Sequence, residues 1–181
     1  VEKIIITRDM MTAARDYVSL AEKEAWVAEN AVKCFDKLAI EADGEAMPPM
    51  YQVNTGLKSR YLMAALAKMY FGVPEIVGEP DNEWLMTEAD YDRWAGSHVM
   101  NQIERMKADR ELRDKCYDLL FDYKDLEKWF STQIGSLLTV QNDTVLRQQQ
   151  IAALQAKQLP EVLQALREYQ EGRANNGEQP G

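Results

Sequence analysis

The sequence predicts an all-α protein, a helical bundle of five to six helices with two long heptad-patterned helices and a disordered C-terminal tail. Three observations predict it. Met11, Ala14, Val18, Ala21, Ala25, Ala28, Val32, Phe35 and Ala39 alternate at spacings of three and four, and all nine are apolar. With 46% hydrophobic residues, nine hits in one frame have a chance of about 0.001, or under about 0.01 after the best of seven frames is chosen. The same beat returns at Cys116, Leu119, Tyr123, Leu126, Phe130, Gln133, Leu137 and Val140. Finally, few segments look able to pair as strands, the best candidate being 75–77.

Residues 1–6 are rich in isoleucine and read as a lead-in rather than a strand. Thr7 suits an N-cap, Asp9 the first turn, and Ile6 and Met11 the hydrophobic-staple positions. Helix one is expected over 8–41, with a seam that is mostly alanine. Such a seam lets a partner helix approach closely but buries little per residue. Asp43-Gly44 stops that helix, and 43–55 is expected as a loop stiffened by Pro48-Pro49. A second helix is expected over 56–71, with Thr55 as its cap and Gly72 ending it. Two glycines and two prolines make 72–86 a loop. Helix three opens at Thr87 and runs to about 108. Helix four follows from 110, where an unbroken helix to 158 would measure about 73 Å at 1.5 Å per residue. A globule of this size has a radius of gyration near 16 Å, so a break is expected at Asn142-Asp143. Pro160 then suits position N1 of a last helix. One domain is expected over 1–171, with a disordered tail over 172–181.

Composition narrows the function. The chain has 181 residues and a net charge of −9. Residues 1–86 hold 9 basic and 14 acidic side chains, and 87–181 hold 12 and 16. Neither half is basic, so no nucleic acid and no membrane is expected as partner. The longest apolar run, 61–67, is too short to span a bilayer. Two distant cysteines and no secretory hydrophobic segment near the N-terminus point to a reducing, cytoplasmic setting.

Candidate chemistry is sparse. Asp114, Asp118, Asp122 and Asp125 lie near one another on helix four. Asp118, Asp122 and Asp125 could hold Mg²⁺ or Mn²⁺ with a diphosphate. Against this, they fall mainly outside the seam, and Lys115, Lys124 and Lys128 stand ready to pair with them, so a solvated face is the stronger reading. His98 is the single histidine, and it reads as packed at the edge of the core beside Trp94. Cys34 reads as outward-facing, Cys116 as a seam residue, and no zinc set converges. Phosphate-cradling glycine loops are absent from the sequence, so no cofactor is expected. Pro48-Pro49-Met50-Tyr51 matches the short pattern read by WW domains, but reads more simply as a stiff turn capping the bundle. Trp84-Leu85-Met86 either tucks into the bundle, the stronger reading, or forms a contact patch.

The expectation is therefore a small acidic interaction or assembly module without enzymatic activity, binding a protein partner or itself. The balance tips to a homodimer, because the expected helices are long for a compact monomer. Trp84, Leu85, Met86, Met50 and Tyr51 are the candidate partner-binding residues. Two alternatives stand beside it. One is a Mg²⁺- or Mn²⁺-dependent enzyme acting on a phosphorylated or diphosphate substrate through Asp118, Asp122 and Asp125. The other is a small-ligand sensor with a pocket near Trp94 and His98.

Overall fold

The structure is a computed structural model that describes residues 2–42 and 44–175. It is mostly helical, and a small two-stranded sheet stands where an all-α chain is expected. The described residues divide into two compact units, 2–37 with 51–139 and 38–50 with 140–175. The tail expected at 172–181 falls outside the described residues from 176 on, and 172–175 continue the last helix.

In the larger unit, residues 2–7 form no regular structure and lead into α1 (Arg8–Ala13). Thr7 caps α1 by accepting the Met10 N–H, while Ile6 and Met11 are both buried. The lead-in is held by side chains from a later helix. Gln102 accepts the Ile6 N–H at 2.8 Å and donates to the Ile4 carbonyl at 2.8 Å.

The single long helix expected over 8–41 does not form. The chain leaves helical geometry after Ala13 because two backbone N–H groups find partners elsewhere. That of Arg15 donates to the Tyr70 carbonyl at 2.8 Å, and that of Val18 to Asp122 Oδ2 at 3.0 Å. A full Ser19–Glu22 capping box then starts α2 (Leu20–Ala31). In α2 the alanine seam is on the wrong face, with Ala21, Ala25 and Ala28 exposed. The buried face is Lys23, Trp26, Val27, Asn30 and Ala31. The reason is magnitude: one tryptophan buries more area than several alanines. Alanine also favours helix on a solvent face as much as on a buried one.

The end of expected helix one and the expected 43–55 loop form a hairpin, β1 (Phe35–Ala42) and β2 (Glu45–Val53). Gly44 has φ +80° in the turn. Asp43-Gly44 is a hairpin dipeptide as well as a helix stop. Each strand of a two-stranded sheet has a free edge, which tolerates Pro48 and Pro49 within β2. At the hairpin base the Asn54 N–H donates to the Cys34 carbonyl at 2.8 Å.

Helix α3 (Thr55–Ala65) is capped by Asn54 rather than Thr55, and runs into a π-helical turn, Leu66–Tyr70. Gly72, at φ +60°, ends it. Segment 75–77 forms no strand. Expected helix three is two helices, α4 (Glu88–Gly96) and α5 (Val99–Met106). They break at His98, whose φ of 52° is left-handed. The break is stabilised from outside, since Ser97 Oγ accepts the Ile4 N–H at 2.7 Å and the Ser97 carbonyl accepts from Gln102 at 2.7 Å.

Helix α6 (Arg113–Asn175) is continuous. It does not break at Asn142-Asp143, and Pro160 lies inside it rather than opening a new helix. Its first half follows the heptad: Cys116, Leu119, Tyr123, Leu126 and Phe130 are buried. Trp26 of α2 lies against Phe130 at 4.6 Å between ring centroids, and the Tyr123 hydroxyl donates to the Leu62 carbonyl at 3.1 Å. So α2 does pack on α6, through a different face from the one the heptad selects.

Candidate functional site

Four segments of the larger unit converge on Asp122. It stands on α6 beside the buried seam and is only 7% exposed. Its Oδ1 accepts from Lys23 Nζ at 2.6 Å. Its Oδ2 accepts from the Tyr70 hydroxyl at 2.8 Å and from the Val18 N–H at 3.0 Å. The π turn carries Tyr70, the segment between α1 and α2 carries Val18, and α2 carries Lys23. Burial, and then the hydrogen bond to Asp122, hold the Tyr70 hydroxyl well above the ordinary phenol range. Tyr70 is thereby kept as a donor.

Lys23 is 4% exposed, unusual for a lysine. Its ammonium also lies 3.5 Å from Asp125 Oδ2 and 5.7 Å from the Tyr17 ring centroid. A buried ion pair is costly to desolvate, and its clearest effect is to make one arrangement of its elements preferred. Here it links α2 to α6.

Above this pair lies an open groove of about 540 Å³. Tyr17, Leu20 and Phe121 supply apolar walls, and Asp16, Asp118 and Asp125 supply carboxylates. Phe121 is 78% exposed, the most exposed large hydrophobic among the described residues.

The structure therefore places Asp118, Asp122 and Asp125 along one groove but in different states. Asp122 is buried and fully engaged, while Asp118 and Asp125 are exposed. Among the described residues no group of three or more His, Cys, Asp or Glu is arranged to hold a metal ion. Two of the three lysines expected to pair with the stripe go elsewhere: Lys115 donates to the Thr12 carbonyl, and Lys124 lies 3.9 Å from Glu104. The actual partner, Lys23, carries no sequence signal, because a lysine on a helix is ordinary. Phe121 does carry one, as a large apolar residue outside the heptad frame.

The candidate partner-binding residues also separate. Met86 is fully buried, and its carbonyl accepts from Arg60 Nε at 2.6 Å. Trp84 and Leu85 are half-buried. Trp84 stands edge-on to Trp26 at 6.3 Å, with Lys68 Nζ 4.7 Å from its ring. Met50 and Tyr51 are half-buried and lie on strand β2 rather than in a turn. His98 is exposed at the α4–α5 break, where its backbone is left-handed, rather than packed at the edge of the core. It borders a shallow hollow of about 220 Å³ beside Met63 and Met100, while Trp94 is buried. Cys34 is fully buried rather than outward, and burial pushes its thiol up to about 12. Among the described residues both cysteines are free.

The smaller unit carries the second notable surface. From residue 151 onward every described side chain of α6 is exposed. Ile151, Leu154, Leu159, Val162, Leu166 and Tyr169 are each more than half exposed. At 3.6 residues per turn they fall within an arc of about 140°. Between 151 and 169 the arc also holds Gln155, Gln158 and Ala165, and no charged residue. Lys157, Glu161, Arg167 and Glu168 all lie outside it.

No protein-family model matches the chain, and no characterised protein or solved structure is similar to it. Among the described residues no helix is long and apolar enough to cross a membrane.

Proposed function

We propose that the chain is a non-enzymatic interaction and assembly module, joined to a second copy of itself through residues 151–169 of α6. The observation that carries this is the charge-free apolar stripe from Ile151 to Tyr169, exposed along its whole length. An amphipathic helix gains most of its stability by burying such a stripe against a partner. From Leu159 to Tyr169 its spacing of three, four and three suits helix-on-helix packing of the coiled-coil kind.

Charge favours a second copy as that partner. Residues 140–175 hold 4 basic and 4 acidic side chains and are neutral, although the chain as a whole carries −9. Two such helices meet without net repulsion, whereas two copies of the acidic remainder would repel. Gln155 and Gln158 lie in the stripe, where amides from two copies can hydrogen-bond and select one register.

Light scattering on the purified chain over a dilution series tests this reading. The expected mass at high concentration is about twice 20.8 kDa, falling on dilution. A mass of 20.8 kDa at every concentration would refute it.

A further inference from the structure

The groove over the Lys23–Asp122 pair belongs to the larger unit and is independent of the α6 stripe. We infer that it docks a basic segment of a protein partner, taking a lysine or arginine side chain on the Phe121 ring beside Asp118 or Asp125, with apolar neighbours of that cation against Tyr17 and Leu20.

Charge complementarity selects this occupant. The groove has four carboxylates, Asp16, Asp118, Asp122 and Asp125, against one ammonium, that of Lys23. Asp122 is saturated by Lys23, Tyr70 and Val18. The charge left over rests on Asp16, Asp118 and Asp125, which face solvent. No lysine or arginine among the described residues forms an ion pair with Asp16 or Asp118.

The walls narrow the chemistry further. A hydrated metal ion needs oxygen ligands and gains nothing from an exposed phenylalanine. A guanidinium or alkylammonium gains from both carboxylate and ring. The molecule already holds one cation this way, with the Lys23 ammonium between Asp122 and Asp125 and 5.7 Å from the Tyr17 ring. A second cation at the mouth would meet the Phe121 ring with Asp118 or Asp125, one turn to either side of it on α6. Leu20, 65% exposed, adds apolar area that a free ion would leave unused.

The test is fluorescence anisotropy with the full chain and a labelled hexapeptide of alternating leucine and arginine. Saturable binding is expected, weakening with salt. Phe121→Ala and, separately, Asp118→Asn with Asp125→Asn should each weaken it by about tenfold or more. All three positions are exposed, and circular dichroism checks that the variants stay folded. A hexapeptide with glutamate in place of arginine should not bind. Equal affinity of Phe121→Ala and the unaltered chain would overturn the inference, reducing the effect to general attraction by an acidic protein. Absence of saturation up to about 1 mM peptide, a free energy near −4 kcal/mol, would also overturn it. Leu159→Glu with Leu166→Glu should leave peptide binding intact, so a failure of assembly and a failure of docking are told apart.

Discussion

Removing the Asp122 carboxylate would leave the Lys23 ammonium buried, with only Asp125 near it, and would strand the Tyr70 hydroxyl and the Val18 N–H. Asp122→Ala should therefore destabilise the fold by about 3–5 kcal/mol in urea unfolding, whereas Asp125→Ala, on the exposed side, should cost under about 0.5 kcal/mol. Lys23→Met combined with Asp122→Asn should cost less than the sum of the two single changes, because each single change leaves a partner unpaired. Additive costs would dissolve the pair as a structural unit. Glu22 gives the acid-side counterpart. Its hydrogen bonds from Arg15, and then from Ser19, lower its carboxyl to about 2 from an ordinary 4.5. Stability from a depressed carboxyl is fully present above its unfolded value and is lost as pH falls through the folded one. Glu22→Gln should thus flatten the decline in melting temperature between about pH 4.5 and 2. An unchanged decline would remove Glu22 as its source. At this scale the sequence made Asp122 visible as one of a stripe, but its partners come from residues 18, 23 and 70, which no spacing rule links to it.

At the scale of elements, the two heptads had opposite fates for a physical reason. In α6 the beat is carried by Leu119, Tyr123, Leu126 and Phe130, which are large enough to define the core. In 11–39 it is carried by alanine, which counts as apolar yet commits a helix to no face. Ala25→Glu should therefore change stability by less than about 0.5 kcal/mol, while Trp26→Ala should cost about 3–5 kcal/mol. The opposite ranking would restore the alanine seam. The break between α1 and α2 had a legible signal in Ser19 and Glu22 at capping-box spacing, outweighed by the longer pattern. Asp43-Gly44 likewise spoke for a hairpin. The π turn had no local signal, and neither did the left-handed His98, which is set by Ser97 and Gln102 gripping the lead-in. His98→Val should destabilise by about 1–2 kcal/mol, and His98→Gly should not, because only the β-branched residue resists positive φ.

At the scale of the whole molecule, the mostly helical class was legible because most of the core lies on helices, and the beat of α6 is carried by large side chains. The hairpin was not, because eight residues of β1 could be counted into a helix frame without conflict. The change in α6 from a buried to an exposed stretch was legible in the pattern, and the continuity of the helix was not. The heptad weakens at Thr144 and Arg147 and recovers at Ile151 and Leu154, while the helix runs on through Pro160. The first stretch of that pattern is buried within its own chain, and the second is exposed along its length. The expected tip toward a homodimer rested on helix length; the proposed dimer rests instead on the stripe and the neutral charge of 140–175.

Sedimentation equilibrium of Leu159→Glu with Leu166→Glu, beside the unaltered chain, tests the central claim most directly. Both residues lie in the stripe, and both are exposed in the single chain, so the exchange leaves the core untouched. A dimer is expected for the unaltered chain and a monomer of 20.8 kDa for the variant, with the unfolding transition of the larger unit unchanged. A variant that dimerises as tightly as the unaltered chain, or an unaltered chain that is monomeric at about 100 μM, where any dimer tighter than roughly −5 kcal/mol would be populated, would contradict it.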